Sequence, residues 1–361
     1  MTGTFIAKKL VLARESRGKS QVQLSGEAQL SQGQLSKFEG GFLLPAPEQQ
    51  ERIAKALKYP LAFFNTHDPF EDLAGGVTFY RRRQRVSMRN LREIQAWVAI
   101  IAIHIRRLLA AVDVQAENRF TKRRPQDVRG GVQEIARLVR AEWKLPAGPI
   151  NDLSVTIESA GGIIVPCDFL GEHIDALYQD TPGLPPLFFI NRNKPGDRVR
   201  YSLAHEVGHA IMHDNFNEDV EDEANGFASE LLMPRADISM QLLNFNLAKA
   251  AQLKPFWKVS MAALIYKAHE LKKISDRHYS TLFMQMSANG FRTREPAQLE
   301  VPLEVPSVLS ELIRTHLGSL NYSPQDLCRL LTISEEDFFT RYMPNRNPMR
   351  IVNTNTTEDI F

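Results

Sequence analysis

The chain has 361 residues, of which 43% are hydrophobic and 24% charged; these shares exclude a disordered, collagenous or disulfide-scaffold protein, and the length points to two or three domains of roughly 100–200 residues. Its two cysteines, Cys167 and Cys328, have no CxxC spacing and read as small buried hydrophobes in a reducing compartment. The net charge of +2 conceals an asymmetry: residues 1–149 hold 25 Lys+Arg against 14 Asp+Glu, and the remainder 19 against 28, so the front half is suited to meet a polyanion.

Residues 1–67 read as short helices, with a turn cluster from Gly40 to Pro47. Ser20 is placed to cap a helix beginning at Gln21, and Ser31 to cap a second beginning at Gln32. Leu24, Ala28, Leu35 and Phe38 would form the apolar seam between the two. The second helix carries Gln32, Gln34, Ser36 and Lys37; Gln can bond adenine bidentately, Ser reaches bases or phosphate, and Lys serves mainly phosphate. Ser20, Gln21, Leu24, Ser31, Leu35, Ser36 and Glu39, followed by the Pro45/Pro47 loop and a helix from Gln50 to Leu57, resemble the Xre-type helix-turn-helix family. The resemblance implies binding of double-stranded DNA through Gln21, Gln32, Gln34, Ser36 and Lys37; a helical protein-interaction module is the competing use of such a fold. Gln29 stands at the inter-helix turn where the family usually has Gly, and a non-glycine side chain at positive φ costs about 1–2 kcal/mol.

Residues 68–145 open with a loop from Asp68 to Gly76 and a basic run, Arg81 to Arg85. A long helix follows, with Leu91, Ile94, Val98, Ile101, Ile105 and Leu108 on one stripe, then a second helix from Val132 to Trp143. The segment reads as a basic helical linker or dimerisation region, which allows a homodimer. Its most apolar stretch, Ala96 to His104, is too short for a membrane span of about 20 residues. With no signal-peptide pattern at the front, the expectation is a cytoplasmic protein with no membrane partner.

Residues 146–295 change character. Gly161 to Pro166 and Pro186 to Asn191 read as short buried strands, and Pro195-Gly196-Asp197 as a turn into a helix starting near Val199. That helix carries His205-Glu206-Val207-Gly208-His209. Histidines at i and i+4 share a helix face and can bind one metal, with Glu206 beside them to take a proton from water. Given 9 His and 42 acidic residues in the chain, chance supplies about 0.03 such motifs.

A catalytic zinc needs a third protein ligand and an open position. The candidates lie in the acidic stretch from Glu218, where Ala224, Phe227, Ala228, Leu231 and Leu232 make an apolar helical stripe. Glu221 and Asn225 share a face, so one can bind metal while the other orients a histidine. Glu223 is the rival ligand, and His213 ranks last because it lacks the chain-reversing Gly of longer zinc motifs.

The run Arg200 to His209, then Glu221-x-x-Ala224-Asn225-x-Phe227-Ala228-x-x-Leu231-Leu232-Met233-Pro234, then Trp257-x-Val259-Ser260-x-x-Ala263-Leu264, resembles the ImmA/IrrE family of metallopeptidases. The resemblance implies a zincin-like fold with a short sheet, ligands His205, His209 and Glu221, Glu206 as base, and Zn2+ as cofactor, with another divalent metal such as Mn2+ also compatible. Tyr178, His173, Tyr201 and His213 are candidates for a second electrophile. The strand Leu187 to Ile190, if at the sheet edge, could hold a peptide by strand addition.

Residues 296–361 begin with a linker punctuated by Pro296, Pro302 and Pro306 and continue as helices, with a helical pair starting at Ser323 that could form a packing cap. The fold class expected is mainly α: an all-α helix-turn-helix domain, a helical linker, a small α+β zincin-like domain and C-terminal helices. The function implied is a DNA-binding transcriptional regulator carrying a zinc endopeptidase, with a protein substrate such as a repressor in phage, mobile-element or stress control. The alternatives are a non-cleaving metal or ligand sensor and a toxin–antitoxin component.

Overall fold

The computed structural model describes residues 4–68, 87–171, 174–213 and 220–343. The basic run Arg81 to Arg85, nearly all of the Asp68–Gly76 loop, His173 and the Glu218-Asp219 start of the acidic stretch lie outside them. The architecture is mainly helical with one three-stranded sheet, and the chain divides into two compact units, Met1–Glu71 with Ile313–Phe361, and Asp72–Leu312.

The first unit contains α1 (Ala7–Ser16), α2 (Gln21–Glu27), α3 (Gln32–Glu39), α4 (Pro47–Leu57) and α5 (Leu61–Asn65). Ser20 and Ser31 each accept from the backbone N–H three residues on, and Gln23 and Gln34 reach back to the cap N–H, so both helices start in complete capping boxes. Leu24, Ala28 and Leu35 are fully buried, and Phe38 nearly so, which makes the seam a core rather than a surface. Gln29 does adopt the left-handed conformation, at φ 52°.

The same unit draws in the other end of the chain. The helices α16 (Pro324–Leu331) and α17 (Glu335–Tyr342) belong to it, whereas the sequence reading groups 296–361 as one region. Arg17 explains part of the join. Its guanidinium donates to Asp337 Oδ1 at 3.0 Å, donates to Leu57 O at 2.9 Å and stacks over the Tyr59 ring at 4.5 Å.

The second unit runs through α6 (Met88–Leu109), α7 (Gly131–Glu142) and α8 (Leu153–Ser159) to the sheet. Its strands are β1 (Ile163–Cys167), β2 (Ala176–Gln179) and β3 (Leu187–Asn191), in the order β1-β3-β2. β3 pairs parallel with β1 and antiparallel with β2. The Leu187–Ile190 strand is therefore central, with both backbone edges engaged, and cannot take an added peptide strand.

The helices α9 (Gly196–Met212) and α10 (Val220–Leu232) follow, then α11 (Arg235–Ile238), α12 (Leu247–Trp257), α13 (Met261–Glu270) and α14 (Asp276–Ala288), and the division between the units falls within α15 (Val308–Leu317). One core joins Ile164, Phe188 and Ile190 of the sheet to Leu203, Val207 and Ala210 of α9 and to Phe227 and Leu231 of α10.

The N-terminal half of α9 is clamped. Asp197 pairs with buried Lys254, which also meets Glu295 at 2.8 Å. Arg200, buried at 3% exposure, pairs with Glu304, whose carboxylate also accepts Leu153 N–H at 3.0 Å and Ser154 N–H at 2.7 Å, capping α8. A Cβ on Gly196 would lie 2.4–2.6 Å from the Val301 and Pro302 carbonyls. Residues 295–304 thus form a strap laid directly on the start of α9, and only glycine permits so close a contact.

Candidate metal centre

α9 places His205 and His209 one turn apart, and their Nε2 atoms lie 3.0 Å from each other. Both rings are buried, at 5% and 2% exposure. α10 crosses this face closely because α9 has Gly208 at the contact: a Cβ there would stand 3.1 Å from the Phe227 ring and 3.3 Å from Ala224 Cα. That approach brings Glu221 Oε2 to 3.5 Å from His205 Nε2 and Glu221 Oε1 to 3.7 Å from His209 Nε2. One donor atom from each of the three residues falls within 4.8 Å of the others.

The hydrogen bonds on the far sides of the rings define what these atoms offer. His205 Nδ1 lies 3.0 Å from Asn225 Oδ1, an acceptor, so the ring donates from Nδ1 and presents the Nε2 lone pair to the centre. His209 Nδ1 meets His213 Nδ1 at 2.9 Å. Two nitrogens each about 2.05 Å from a tetrahedral zinc lie about 3.3 Å apart, close to the spacing here. Two imidazole lone pairs and a carboxylate facing one point suit a borderline divalent cation such as zinc. The Glu221 side chain keeps 32% exposure, so the centre is open on that side.

Glu206 is the neighbour of His205 but faces the sheet. Its Oε2 accepts the backbone N–H of Tyr178 on β2 at 3.0 Å. This contact, which fixes the carboxylate beside the histidines, was not foreseen from sequence. Ala176–Gln179 is four residues, buried throughout, and has no alternation to mark it as a strand.

The two rival ligands have another place. α9 stops at Met212, and His213 turns into extended backbone at φ −116°, so its ring returns toward His209. Its Nε2 contacts Glu223 Oε2 at 2.9 Å. Burial pushes the His213 pKa down, opposed by the Glu223 hydrogen bond and charge. Of the proposed electrophiles, Tyr201 donates its hydroxyl to Asn225 O at 3.3 Å, and the Tyr178 ring stacks on Phe188 at 5.4 Å between centroids.

In the first unit, Gln32, Ser36 and Lys37 are exposed along α3. Gln34 is exposed too, but its Oε1 accepts Ser31 N–H at 3.1 Å in the capping box. Gln21 donates to Glu39 Oε2 at 2.8 Å, and Glu39 is held by Arg14 at 2.6 Å. Two of the five residues expected at DNA therefore also have structural roles: Gln21 ties α2 to α3, and Gln34 caps α3.

Among the described residues, no helix is long and apolar enough to cross a membrane. No curated protein matches the chain. Residues 157–269, which contain the sheet, α9, α10, α12 and nearly all of α13, match the family model Peptidase_M78, described as an IrrE N-terminal-like domain.

Proposed function

We propose that the second unit is a zinc-dependent endopeptidase and that α2 and α3 form an Xre-type helix-turn-helix for double-stranded DNA, making the chain a DNA-binding regulator that cleaves a repressor or another regulatory protein. The observation that carries the peptidase reading is the convergence of His205 Nε2, His209 Nε2 and the Glu221 carboxylate, with Glu206 held beside them. A zinc ion held by those three residues would supply Lewis acidity for peptide hydrolysis.

The chain's own residues then manage the proton. Tyr178 N–H holds the Glu206 carboxylate beside the histidines, where it would take a proton from the attacking water and pass it to the leaving amine nitrogen. Asn225 keeps His205 in the tautomer that directs Nε2 inward. The DNA reading draws on the exposed row Gln32, Ser36 and Lys37 and on the basic balance of the front half.

The test compares the full chain with Glu206→Gln. Both should carry about one zinc or manganese per chain by metal analysis, and cleavage of an unstructured peptide library should fall at least ~10²-fold in the variant. Equal hydrolysis in both would remove Glu206 from the chemistry, and hydrolysis in neither would leave a metal or ligand sensor.

A further inference from the structure

Behind His209 lies a chain of three groups: His209 Nδ1 to His213 Nδ1 at 2.9 Å, then His213 Nε2 to Glu223 Oε2 at 2.9 Å. The proton assignment follows from the ends. A carboxylate only accepts, so His213 Nε2 carries a hydrogen and donates to Glu223. A neutral His213 then has a bare Nδ1, which accepts from His209 Nδ1–H. His209 is left with its Nε2 lone pair facing His205 and Glu221, the state a metal ligand requires. The opposite tautomer of His209 would point a proton into the centre. Both His213, at 7% exposure, and His209 are buried, so bulk water does not set this preference for them.

We propose that Glu223 and His213 act as a two-residue relay that fixes the His209 tautomer, so both are positioning residues of the metal centre and neither is a ligand. The proposal rests on reading His205, His209 and Glu221 as that centre. The position of His213 just past the end of α9 is what makes it possible. Its N–H still bonds His209 O at 3.1 Å, while the extended backbone returns its ring across the preceding turn. Lys122 Nζ, 3.3 Å from the His213 carbonyl, ties down the same corner.

The experiment uses the full chain and four variants: Glu223→Ala, His213→Phe, His213→Asn and the double variant Glu223→Ala/His213→Phe. Zinc affinity is read by competition with a chromogenic chelator. Loss of an outer partner of a ligating histidine costs about 10–100-fold in metal affinity, so Glu223→Ala, which removes the acceptor, and His213→Phe should each fall in that range. The double variant should be no weaker than His213→Phe alone, because Glu223 acts only through His213. His213→Asn sets an amide oxygen near the former Nδ1 and should recover most of the affinity.

Imidazole ¹⁵N shifts of the metal-free chain give a second readout. His209 should report an Nδ1–H tautomer in the wild type and a mixture in His213→Phe. Affinity within twofold of wild type for both single variants, or losses that simply add, would overturn the relay, as would an unchanged His209 tautomer. If the wild type itself binds no zinc, or binds it undiminished in Glu221→Gln, the metal-centre reading fails instead. The tautomer measurement still decides the relay in that case, and Glu223→Ala decides it if His213→Phe does not fold.

Discussion

Gly208 shows how one missing side chain sets the geometry of the centre. Glu221 reaches the histidines only because α10 lies within van der Waals distance of the α9 backbone, and a methyl group at 208 would meet Phe227 and Ala224 at 3.1–3.3 Å. Gly208→Ala should shift α10 by a few tenths of an ångström and weaken zinc binding moderately. Glu221→Gln, which leaves only two ligating side chains, should abolish stoichiometric zinc in metal analysis. A larger loss for Glu223→Gln than for Glu221→Gln would reverse the ligand assignment.

Asp337 offers a second residue-scale test. Burial works against its charged form, but the hydrogen bond and charge of Arg17, together with the charge of Arg341 and the Ser334 hydrogen bond, outweigh this and hold its pKa below the ordinary value. A carboxyl depressed in the folded state stabilises the fold above its unfolded pKa of about 3.9, and that contribution is lost as pH falls through the folded value. Acid titration of the chain should therefore show an Asp337-dependent loss of stability below about pH 5. Asp337→Asn should flatten that limb and, at neutral pH, lower stability by about 1–2 kcal/mol in denaturant melts.

At the level of elements, α3 combines two demands. Its Gln34 closes a capping box, so Gln34→Ala should cost about 0.5–1 kcal/mol in thermal melts apart from any DNA effect. Gln32→Ala and Lys37→Ala separate recognition from folding. In fluorescence anisotropy, Gln32→Ala should weaken binding to the preferred site more than to random duplex, whereas Lys37→Ala should weaken both and reduce the salt slope by about 1. Uniform affinity for all sequences across these variants would reduce α3 to a nonspecific basic surface.

The elements that were legible in advance share a property. The helices α2, α3 and α9 announce themselves through caps and spacings within about ten residues, and the donor spacing of His205 and His209 is likewise local. What escaped the sequence is nonlocal. β2 has no periodicity of its own and exists because β3 and α9 flank it. His213 and Glu223, weighed as ligands, sit ten residues apart, and their contact depends on where α9 ends. Similarly, nothing near Arg200 predicts that its partner is Glu304, 104 positions away.

Across the whole molecule, the strap makes the second unit larger than the segment that matches the family model. A fragment covering 157–269 would lack Glu304 for Arg200, Glu295 for Lys254, and Arg140, which donates to Leu231 O at 2.7 Å and to Gly148 O at 2.9 Å. Arg200 is then a buried charge without its carboxylate, which costs about 3–5 kcal/mol, while Lys254 keeps Asp197; that one loss approaches the lower end of the roughly 5–15 kcal/mol that stabilises a domain. The fragment should be insoluble or lack a cooperative melt by circular dichroism, whereas 87–312 should melt cooperatively. A folded 157–269 fragment would show the strap to be dispensable.

The pairing of Arg17 with Asp337 also has a consequence in time. The two residues belong to one compact unit, yet the whole of Asp72–Leu312 is interposed between the halves of that unit. A ribosome adding about 5–20 residues per second spends on the order of 10–50 s on the interposed stretch before the closing helices exist. The amino-terminal helices thus leave the exit tunnel well before their carboxy-terminal partners are made. A nascent chain stalled before residue 324 presents α1–α5 without α16 and α17, and limited proteolysis of such ribosome-bound chains should cut at Arg17, whose side chain is only 16% exposed in the finished protein.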